Sequence, residues 1–177
     1  MPPGKVLNAA VEEHEMIRKS FTVEDANRLV PVLEQVFRSI DQKKERVRRH
    51  GKKLEVLNLL WGEKVGGADN PDHADFIRHK RAIGKAVSEI EQMIQQEIFR
   101  RGLRFPVGGI EKGLVDFPTT FQGRWVYLCW QSGEAALQYW HETDEGFPGR
   151  HEITREQREM MGRELDRHDV DDSTLDF

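Results

Sequence analysis

Apolar residues recur at spacings of three, four and seven between positions 29 and 61, which is the pattern of a long helix with one apolar seam. The seam consists of Leu29, Leu33, Val36, Ile40, Val47, Leu54, Leu57 and Trp61. Thr22, with Asp25 three residues later, predicts the amino-terminal cap of this helix. Pro31 lies within the pattern, and we expect it to bend the helix rather than end it.

A second apolar seam follows and ends before Gly102, so it predicts a second long helix. Its members are Phe76, Ile83, Val87, Ile90, Ile94 and Ile98. Residues 62–71, between the two seams, are rich in glycine and polar side chains, which favours a turn. Two such helices bury their seams by folding back on each other, so residues 21–102 are predicted to form an antiparallel, coiled-coil-like helical hairpin.

The register of this hairpin follows if Gly67 is its tip, because facing residue numbers then add up to about 134. This register places Lys43 opposite Glu91. Glycine is unfavourable inside a helix by roughly 1 kcal/mol relative to alanine. We therefore expect Gly51 and Gly84 to make room for bulky side chains of the facing helix.

After Gly102 the apolar period changes to two, which predicts β-strands. The three predicted strands are GLVDFPTTF (113–121), RWVYLCW (124–130) and ALQYWHE (136–142). Gln122 and Gly123 predict a tight turn between the first two strands. A small sheet with one apolar face needs a cover, and the open end of the hairpin is the simplest one. The chain is therefore predicted to be α+β, with a three-stranded antiparallel sheet region over residues 103–150.

The two faces of the predicted sheet differ in character. The apolar face consists of Val115, Phe117, Val126, Leu128, Trp130, Leu137 and Tyr139. The second face carries Asp116, Trp125, Tyr127, Cys129, Gln138, Trp140 and Glu142. Because the second face mixes aromatic rings with acids, it is neither an ordinary solvated face nor a second core.

The two ends of the chain are predicted to be appendages of this domain. Residues 1–20 hold two prolines and mixed charges, which is typical of a loose leader. Thr154 and Gln157 form a capping box, which predicts a short polar helix from residue 155 to about residue 167. Residues 151–177 therefore combine this helix with an acidic tail.

Composition and charge exclude several classes of protein. Of the 177 residues 33% are charged, and the formal net charge is −4, so no binding to nucleic acid is expected. No run of about 18 apolar residues occurs, so no membrane segment is expected either. The single cysteine, Cys129, cannot form an internal disulfide, and a cytoplasmic location is therefore predicted. Between Leu128 and Trp130 this cysteine is interpreted as a packing residue rather than a nucleophile.

Three neighbouring residues, His141, Glu142 and Asp144, offer side chains of the kind that bind divalent metals. Their spacing matches no standard metal motif, and adjacent residues of a strand point to opposite faces of its sheet. A hydrogen bond between His141 and Arg124 is the competing interpretation. No cofactor is predicted, and a divalent metal is kept as the alternative.

Aromatic residues on the second face of the predicted sheet are the most informative candidates for binding. Trp125, Tyr127 and Trp140, beside Asp116 and Glu142, suit a flat or cationic ligand or a partner chain. An exposed aromatic patch of this size is unusual on a monomer. The alternative is therefore that the carboxy-terminal helix or a second copy of the chain covers these rings.

Three segments resemble a family of uncharacterised bacterial proteins known as domain of unknown function 2203. They are FTVEDANRLVP (21–31), GLVDFP (113–118) and YLCWQSGEAALQYWHETDEGFPGR (127–150). The resemblance implies an outline for residues 21–150 but no reaction, since the family has no established activity. If the shared motifs mark a site, the resemblance implies the residues Asp116, Glu134, His141, Glu142, Asp144 and Arg150.

These patterns favour a non-enzymatic module that binds a protein partner or a small ligand through the sheet end. The alternative is a metal- or ligand-dependent enzyme that uses clustered acids and His141 at the same end. A homodimer is also expected, because two helices alone leave the flanks of their seams half covered. The candidate binding residues are Asp116, Trp125, Tyr127, Glu134, Trp140, His141, Glu142, Asp144 and Arg150.

Overall fold

A computed structural model describes residues 19–163 of the chain as an α+β fold. The helices are α1 (Val23–Trp61), α2 (His73–Glu97), α3 (Gly109–Lys112) and α4 (Arg155–Met160). The strands are β1 (Leu114–Phe121), β2 (Arg124–Gln131), β3 (Tyr139–Glu142) and β4 (His151–Glu152). The predicted class is confirmed, although the antiparallel sheet has four strands rather than three. Most of the predicted leader, and the acidic tail from residue 164, lie outside the described residues.

The first long helix begins where its cap was predicted. The Thr22 hydroxyl accepts the Asp25 amide at 3.0 Å, and the Asp25 carboxylate accepts the Thr22 amide at 3.4 Å. From there α1 continues for 39 residues, and Pro31 lies inside it without ending it. A proline is tolerated there although it leaves one carbonyl of the preceding turn without its helical partner.

The distal part of the hairpin, residues 43–90, extends past the last buried residue of α1, Ile40, and we call it the arm. Within α2 only His79 and Ala86 are buried, so the seam of the arm is half covered, as a helix pair alone would leave it. Neither long helix is apolar enough over a sufficient length to cross a membrane, and the same holds for every other helix of residues 19–163.

The register of the arm differs from the predicted one. Lys43 donates to the Glu89 carboxylate at 2.6 Å, so it faces a residue two positions before the predicted Glu91. The expectation that Gly51 and Gly84 make room for facing side chains is wrong, because a Cβ atom at either position would meet nothing within 4 Å. The turn is not symmetric about Gly67, since it combines a 3-10 segment (Gly62–Gly66) with a further bend before α2.

The sheet is a meander in the order β1-β2-β3-β4, with all pairs antiparallel. Gln122 and Gly123 form the predicted tight turn, with φ values of 52° and 74° that suit a two-residue hairpin. The outer edge of β1 is also covered, because the backbone N–H groups of Phe21, Arg104 and Gly162 donate to its carbonyl groups at 2.9, 3.1 and 2.9 Å. Such coverage removes a free strand edge that would otherwise pair with another chain.

The core lies between the first half of α1 and one face of the sheet. It includes Phe21, Leu33, Phe37, Phe117, Leu128, Trp130 and Leu137. Trp140 also packs on this face, with its ring centroid 5.6 Å from that of Phe121, so its predicted place on the second face is wrong. The error arises because β3 begins only at Tyr139, and the irregular residues before it break the strand alternation on which the prediction relied.

The carboxy-terminal helix has its predicted capping box, since the Thr154 side chain accepts the Gln157 amide. It ends at Met160 rather than near residue 167, because Met161 is extended and Gly162 has a φ of 75°. Met161 is fully buried in the core, whereas Met160 is exposed. The chain therefore adds Met161 to the core just after the helix, while no residue of the helix itself is buried. Leu165, expected to contribute to the helix, lies outside the described residues.

Candidate functional site

The second face of the sheet holds a buried polar cluster that three adjacent strands build together. Asp116 of β1 lies directly opposite Cys129 of β2, and His141 of β3 lies opposite Tyr127. Asp116, Cys129 and His141 are each fully buried. One carboxylate oxygen, the Sγ atom and one ring nitrogen from these residues all lie within 4.8 Å of one another. We call these three residues the buried cluster.

Asp116 is the anionic centre of the buried cluster. Its Oδ2 atom accepts from Nε and Nη2 of Arg104 at 3.3 and 3.2 Å, and its Oδ1 atom lies 3.2 Å from Nε2 of His141. Arg104 also exchanges two backbone hydrogen bonds with Asp116, which fixes the approach of its side chain. A fully buried carboxylate is stable only when it is paired in this way.

The ring of His141 is oriented by its backbone neighbour. Nδ1 lies 2.7 Å from the carbonyl oxygen of Glu142, and because a carbonyl only accepts, Nδ1 carries a hydrogen and donates. The other nitrogen, Nε2, is thereby directed towards Asp116. Burial lowers the pKa of His141, but the hydrogen bond and charge of Asp116 outweigh it, so the pKa lies above its ordinary value.

The Cys129 thiol is enclosed and protonated. Burial raises its pKa well above the usual range, and the charge of Asp116 raises it further. A protonated thiol without access to solvent is a poor nucleophile. This environment agrees with the interpretation of Cys129 as a packing residue. The sulfur can still bind a metal cation, provided that the cation displaces the thiol proton.

One of the predicted aromatic residues, Tyr127, forms a wall of the buried cluster. The Arg104 guanidinium lies 3.7 Å from the centroid of the Tyr127 ring, and that ring lies 5.7 Å from the imidazole of His141. Trp125 packs against Tyr127 and is only 3% exposed. Both rings are buried inside the protein, so they do not form the open aromatic patch that a flat ligand would need.

A second ion pair lies next to Cys129. Arg150 donates from Nη2 to both carboxylate oxygens of Glu134 at 2.7 and 2.8 Å, and to the carbonyl of Cys129 at 3.3 Å. Its guanidinium also lies 4.0 Å over the ring of Tyr139. This pair ties the loop after β3 to the turn after β2 and closes the side of the buried cluster.

The structure does not bring the three candidate metal ligands of the sequence together. Glu142 binds Arg124, with 3.1 Å between Arg124 Nε and Oε2, and this hydrogen bond lowers the pKa of Glu142. Asp144 is exposed beyond the end of β3. Only His141 of the three belongs to the buried cluster, where its neighbours are Asp116 and Cys129.

Sequence reasoning did not identify Arg104 as part of the site. Arg104 lies in a single bridge outside the named strands, so no strand pattern marks it. The alternation of Leu103, Arg104 and Phe105 was the available signal, because Leu103 is buried in the core and Arg104 points to the second face. Three residues are too few to distinguish such a bridge from a loop.

The buried cluster has the donor atoms of a transition-metal site. One carboxylate oxygen, one thiol sulfur and one imidazole nitrogen form a mixed set that suits Zn²⁺ and related ions. A hydrogen bond from the remote ring nitrogen to a backbone carbonyl, as His141 makes to Glu142, is the usual support of a metal-binding histidine. The residues present therefore fit a cation.

Comparison with known proteins matches the region that contains this site to one protein family. The profile of a family described as an uncharacterized conserved protein, DUF2203, matches residues 19–153, which include the hairpin and all three residues of the buried cluster. No curated protein and no solved structure matches the chain. Since the match covers well over half of the sequence, the chain belongs to the DUF2203 family of uncharacterized conserved proteins.

Proposed function

We propose that the protein is a binding module whose ligand is a divalent transition-metal ion, held at the sheet end by Asp116, Cys129 and His141. The observation that supports this function is the convergence of an oxygen, a sulfur and a nitrogen donor within 4.8 Å, from three different strands and in a fully buried position. Hydrophobic packing alone gives no reason to place three such groups together in an interior.

The charge of the site is compatible with this ligand. Asp116 supplies one negative charge, which Arg104 balances when no metal is bound. A metal-binding cysteine loses its proton, so Cys129 would supply a second negative charge. The two ligand charges would match the charge of a divalent ion, while Arg104 keeps its contact with the second oxygen of Asp116.

The surroundings of the buried cluster favour retention of an ion over turnover of a substrate. Two pockets among the described residues, of about 330 and 380 Å³, lie on the arm and at its tip, away from the buried cluster. The buried cluster itself is enclosed by Arg104, Tyr127 and the Arg150–Glu134 pair. A closed site is typical of structural metal ions, whereas catalytic ones keep an open coordination position. The enzyme alternative is thus less well supported than the binding module.

The cytoplasm is the compartment we propose for this function. A lone thiol remains reduced there, and only a reduced cysteine can become the thiolate that binds a metal. Cys129 is the single cysteine of the chain, so it has no internal disulfide partner that would compete for the sulfur.

The experiment is a Co²⁺ titration of the metal-free, full-length protein, prepared without an affinity tag and followed by absorption. A thiolate ligand gives a charge-transfer band in the near ultraviolet, so the wild type should show this band with one equivalent bound. Cys129→Ser should lose the band, and His141→Gln should weaken binding by at least about tenfold. Asp144→Asn is the matched control, since Asp144 is exposed and outside the buried cluster.

Two results would overturn the proposal. One is the absence of Co²⁺ binding, and of Zn²⁺ binding by calorimetry, in wild-type protein that circular dichroism shows to be folded. The other is a Co²⁺ complex whose spectrum and affinity are unchanged in Cys129→Ser. Cys129→Ser is the preferred variant because serine fits the space of cysteine and leaves Asp116 paired with Arg104 and His141.

A further inference from the structure

Arg104 directs two donor groups at the same oxygen of the Asp116 carboxylate. Its Nε and Nη2 atoms lie 3.3 and 3.2 Å from Oδ2. The other oxygen, Oδ1, lies 3.2 Å from Nε2 of His141, which is the ring nitrogen left for a cation once Nδ1 donates to the carbonyl of Glu142. The guanidinium and the imidazole therefore divide the carboxylate between them, with one oxygen each.

Several contacts fix the position of Arg104. Its backbone N–H donates to the carbonyl of Asp116 at 3.1 Å, and the N–H of Asp116 donates to the carbonyl of Arg104 at 3.0 Å. The guanidinium stacks 3.7 Å from the centroid of the Tyr127 ring, and the side chain is only 16% exposed. A planar guanidinium held on its face and at its backbone loses little freedom when it hydrogen-bonds. Arg104 is thus preorganised beside Oδ2.

We propose that Arg104 determines the ion specificity of the buried cluster by restricting Asp116 to one ligand oxygen. This inference rests on the proposed metal-binding function. An ion held by His141 Nε2 and Cys129 Sγ takes Oδ1 of Asp116, whereas Oδ2 stays hydrogen-bonded to the guanidinium. The buried cluster then supplies three ligand atoms, one from each of its residues.

Three single-atom ligands favour ions of low coordination number. Zn²⁺ is stable with four ligands in a tetrahedral arrangement, and Co²⁺ accepts the same geometry. Mn²⁺ prefers octahedral sites rich in oxygen, and a second carboxylate oxygen would help to complete such a set. Since Arg104 occupies Oδ2, this oxygen is withheld. The site should therefore bind tetrahedral ions and discriminate against Mn²⁺, and the discrimination should depend on Arg104.

Arg104→Lys tests this role, because lysine keeps the positive charge but lacks the planar pair of donors. Metal-free, full-length wild type and variant are titrated with Co²⁺ and with Mn²⁺. Co²⁺ with four ligands absorbs far more strongly in the visible region than Co²⁺ with six, so we expect strong absorption from the wild type and weaker absorption from Arg104→Lys. The ratio of Mn²⁺ affinity to Co²⁺ affinity should rise by about tenfold in the variant.

Arg124→Lys is the matched control, because Arg124 pairs with Glu142 outside the buried cluster. This variant makes the same chemical change on the same sheet, and it should leave the Co²⁺ spectrum and the affinity ratio unchanged. An equal change of the ratio in both variants would overturn the role of Arg104, since it would not depend on the contact with Asp116.

Two further results would overturn this role while leaving the proposed function intact. One is weak visible absorption from a wild-type Co²⁺ complex that retains its thiolate band, and the other is an unchanged affinity ratio in Arg104→Lys. A wild type that binds no Co²⁺ overturns the proposed function and this inference together. If circular dichroism shows that Arg104→Lys does not fold, the visible spectrum of the wild-type complex decides alone.

Discussion

His141 Nε2 lies 3.2 Å from Asp116 Oδ1, although the two residues belong to strands that are not adjacent. Cys129 lies on the strand between them and directly faces Asp116. Because the side chain of Cys129 is small, Asp116 and His141 can meet across β2. A larger residue at position 129 would fill the space between them. The ion pair therefore links β1 to β3 across the middle strand and fixes their relative position.

Asp116→Asn should reduce the free energy of unfolding by about 3–5 kcal/mol, as expected for the loss of one member of a buried ion pair. The amide leaves the charge of Arg104 in the interior without a counter-charge, and it offers His141 Nε2 only a neutral partner. Equilibrium unfolding in urea at neutral pH measures the change.

Glu142→Gln is the control for this variant, because the Arg124–Glu142 pair is partly exposed and of a kind that contributes only about 0–1 kcal/mol. A loss in Asp116→Asn no larger than that of Glu142→Gln would show that the buried network is not a significant source of stability.

Cys129 should resist alkylation in the folded protein. Its thiol is fully buried and burial raises its pKa, so both access and thiolate formation are unfavourable. Iodoacetamide at slightly alkaline pH should modify native protein at least about a hundredfold more slowly than protein in denaturant. Mass spectrometry of timed samples gives both rates, and equal rates would mean that the sheet opens readily at β2.

Local patterns of the sequence were sufficient for much of the fold. The Thr22 cap and the Gln122-Gly123 turn were predicted because each depends on residues a few positions apart. The apolar seams indicated the two helices of the hairpin, because their spacings of three, four and seven are also local in sequence. The exact register of the arm was not accessible, since it depends on how the turn after Trp61 is built rather than on the seams themselves.

The buried cluster was only partly predictable, because its contacts are distant in sequence. Asp116, Tyr127 and His141 were candidates, but their arrangement depends on the alternation of β3, which the irregular segment before Tyr139 resets. Trp140 consequently lies on the apolar face and His141 on the second face, which is the reverse of what strict alternation along the predicted strand gives. Arg104 approaches Asp116 from an isolated bridge, which no periodic pattern reveals.

Gly51→Ala and Gly84→Ala should each stabilise the protein by about 0.5–1 kcal/mol. Both glycines lie within helices, and an added Cβ atom meets nothing within 4 Å. Gly123→Ala is a matched control, because its Cβ atom would also meet nothing but its φ is +74°. This variant should be destabilised by backbone strain alone. Thermal unfolding compares the three, and a loss of stability in Gly51→Ala or Gly84→Ala would indicate that another molecule approaches that glycine closely.

His50 and His79 contact each other across the arm, with 2.8 Å between their Nδ1 atoms. One ring must donate and the other accept, so the contact requires at least one neutral imidazole. Burial lowers the pKa of His79, and the charge of His50 lowers it further. Arg78 and Lys53 act in the same direction, whereas Asp75 opposes them.

The unfolding free energy should therefore fall as the pH is lowered from about 7.5 to about 5.5, because the unfolded chain binds a proton at His79 more readily than the folded arm does. His79→Gln removes this titration and should show a smaller fall over the same range. His141, whose pKa is raised, acts in the opposite sense, but it is present in both proteins and cancels in their difference. Urea unfolding of the two proteins at several pH values measures that difference. Parallel curves for wild type and His79→Gln would show that the histidine pair does not make the arm sensitive to acid.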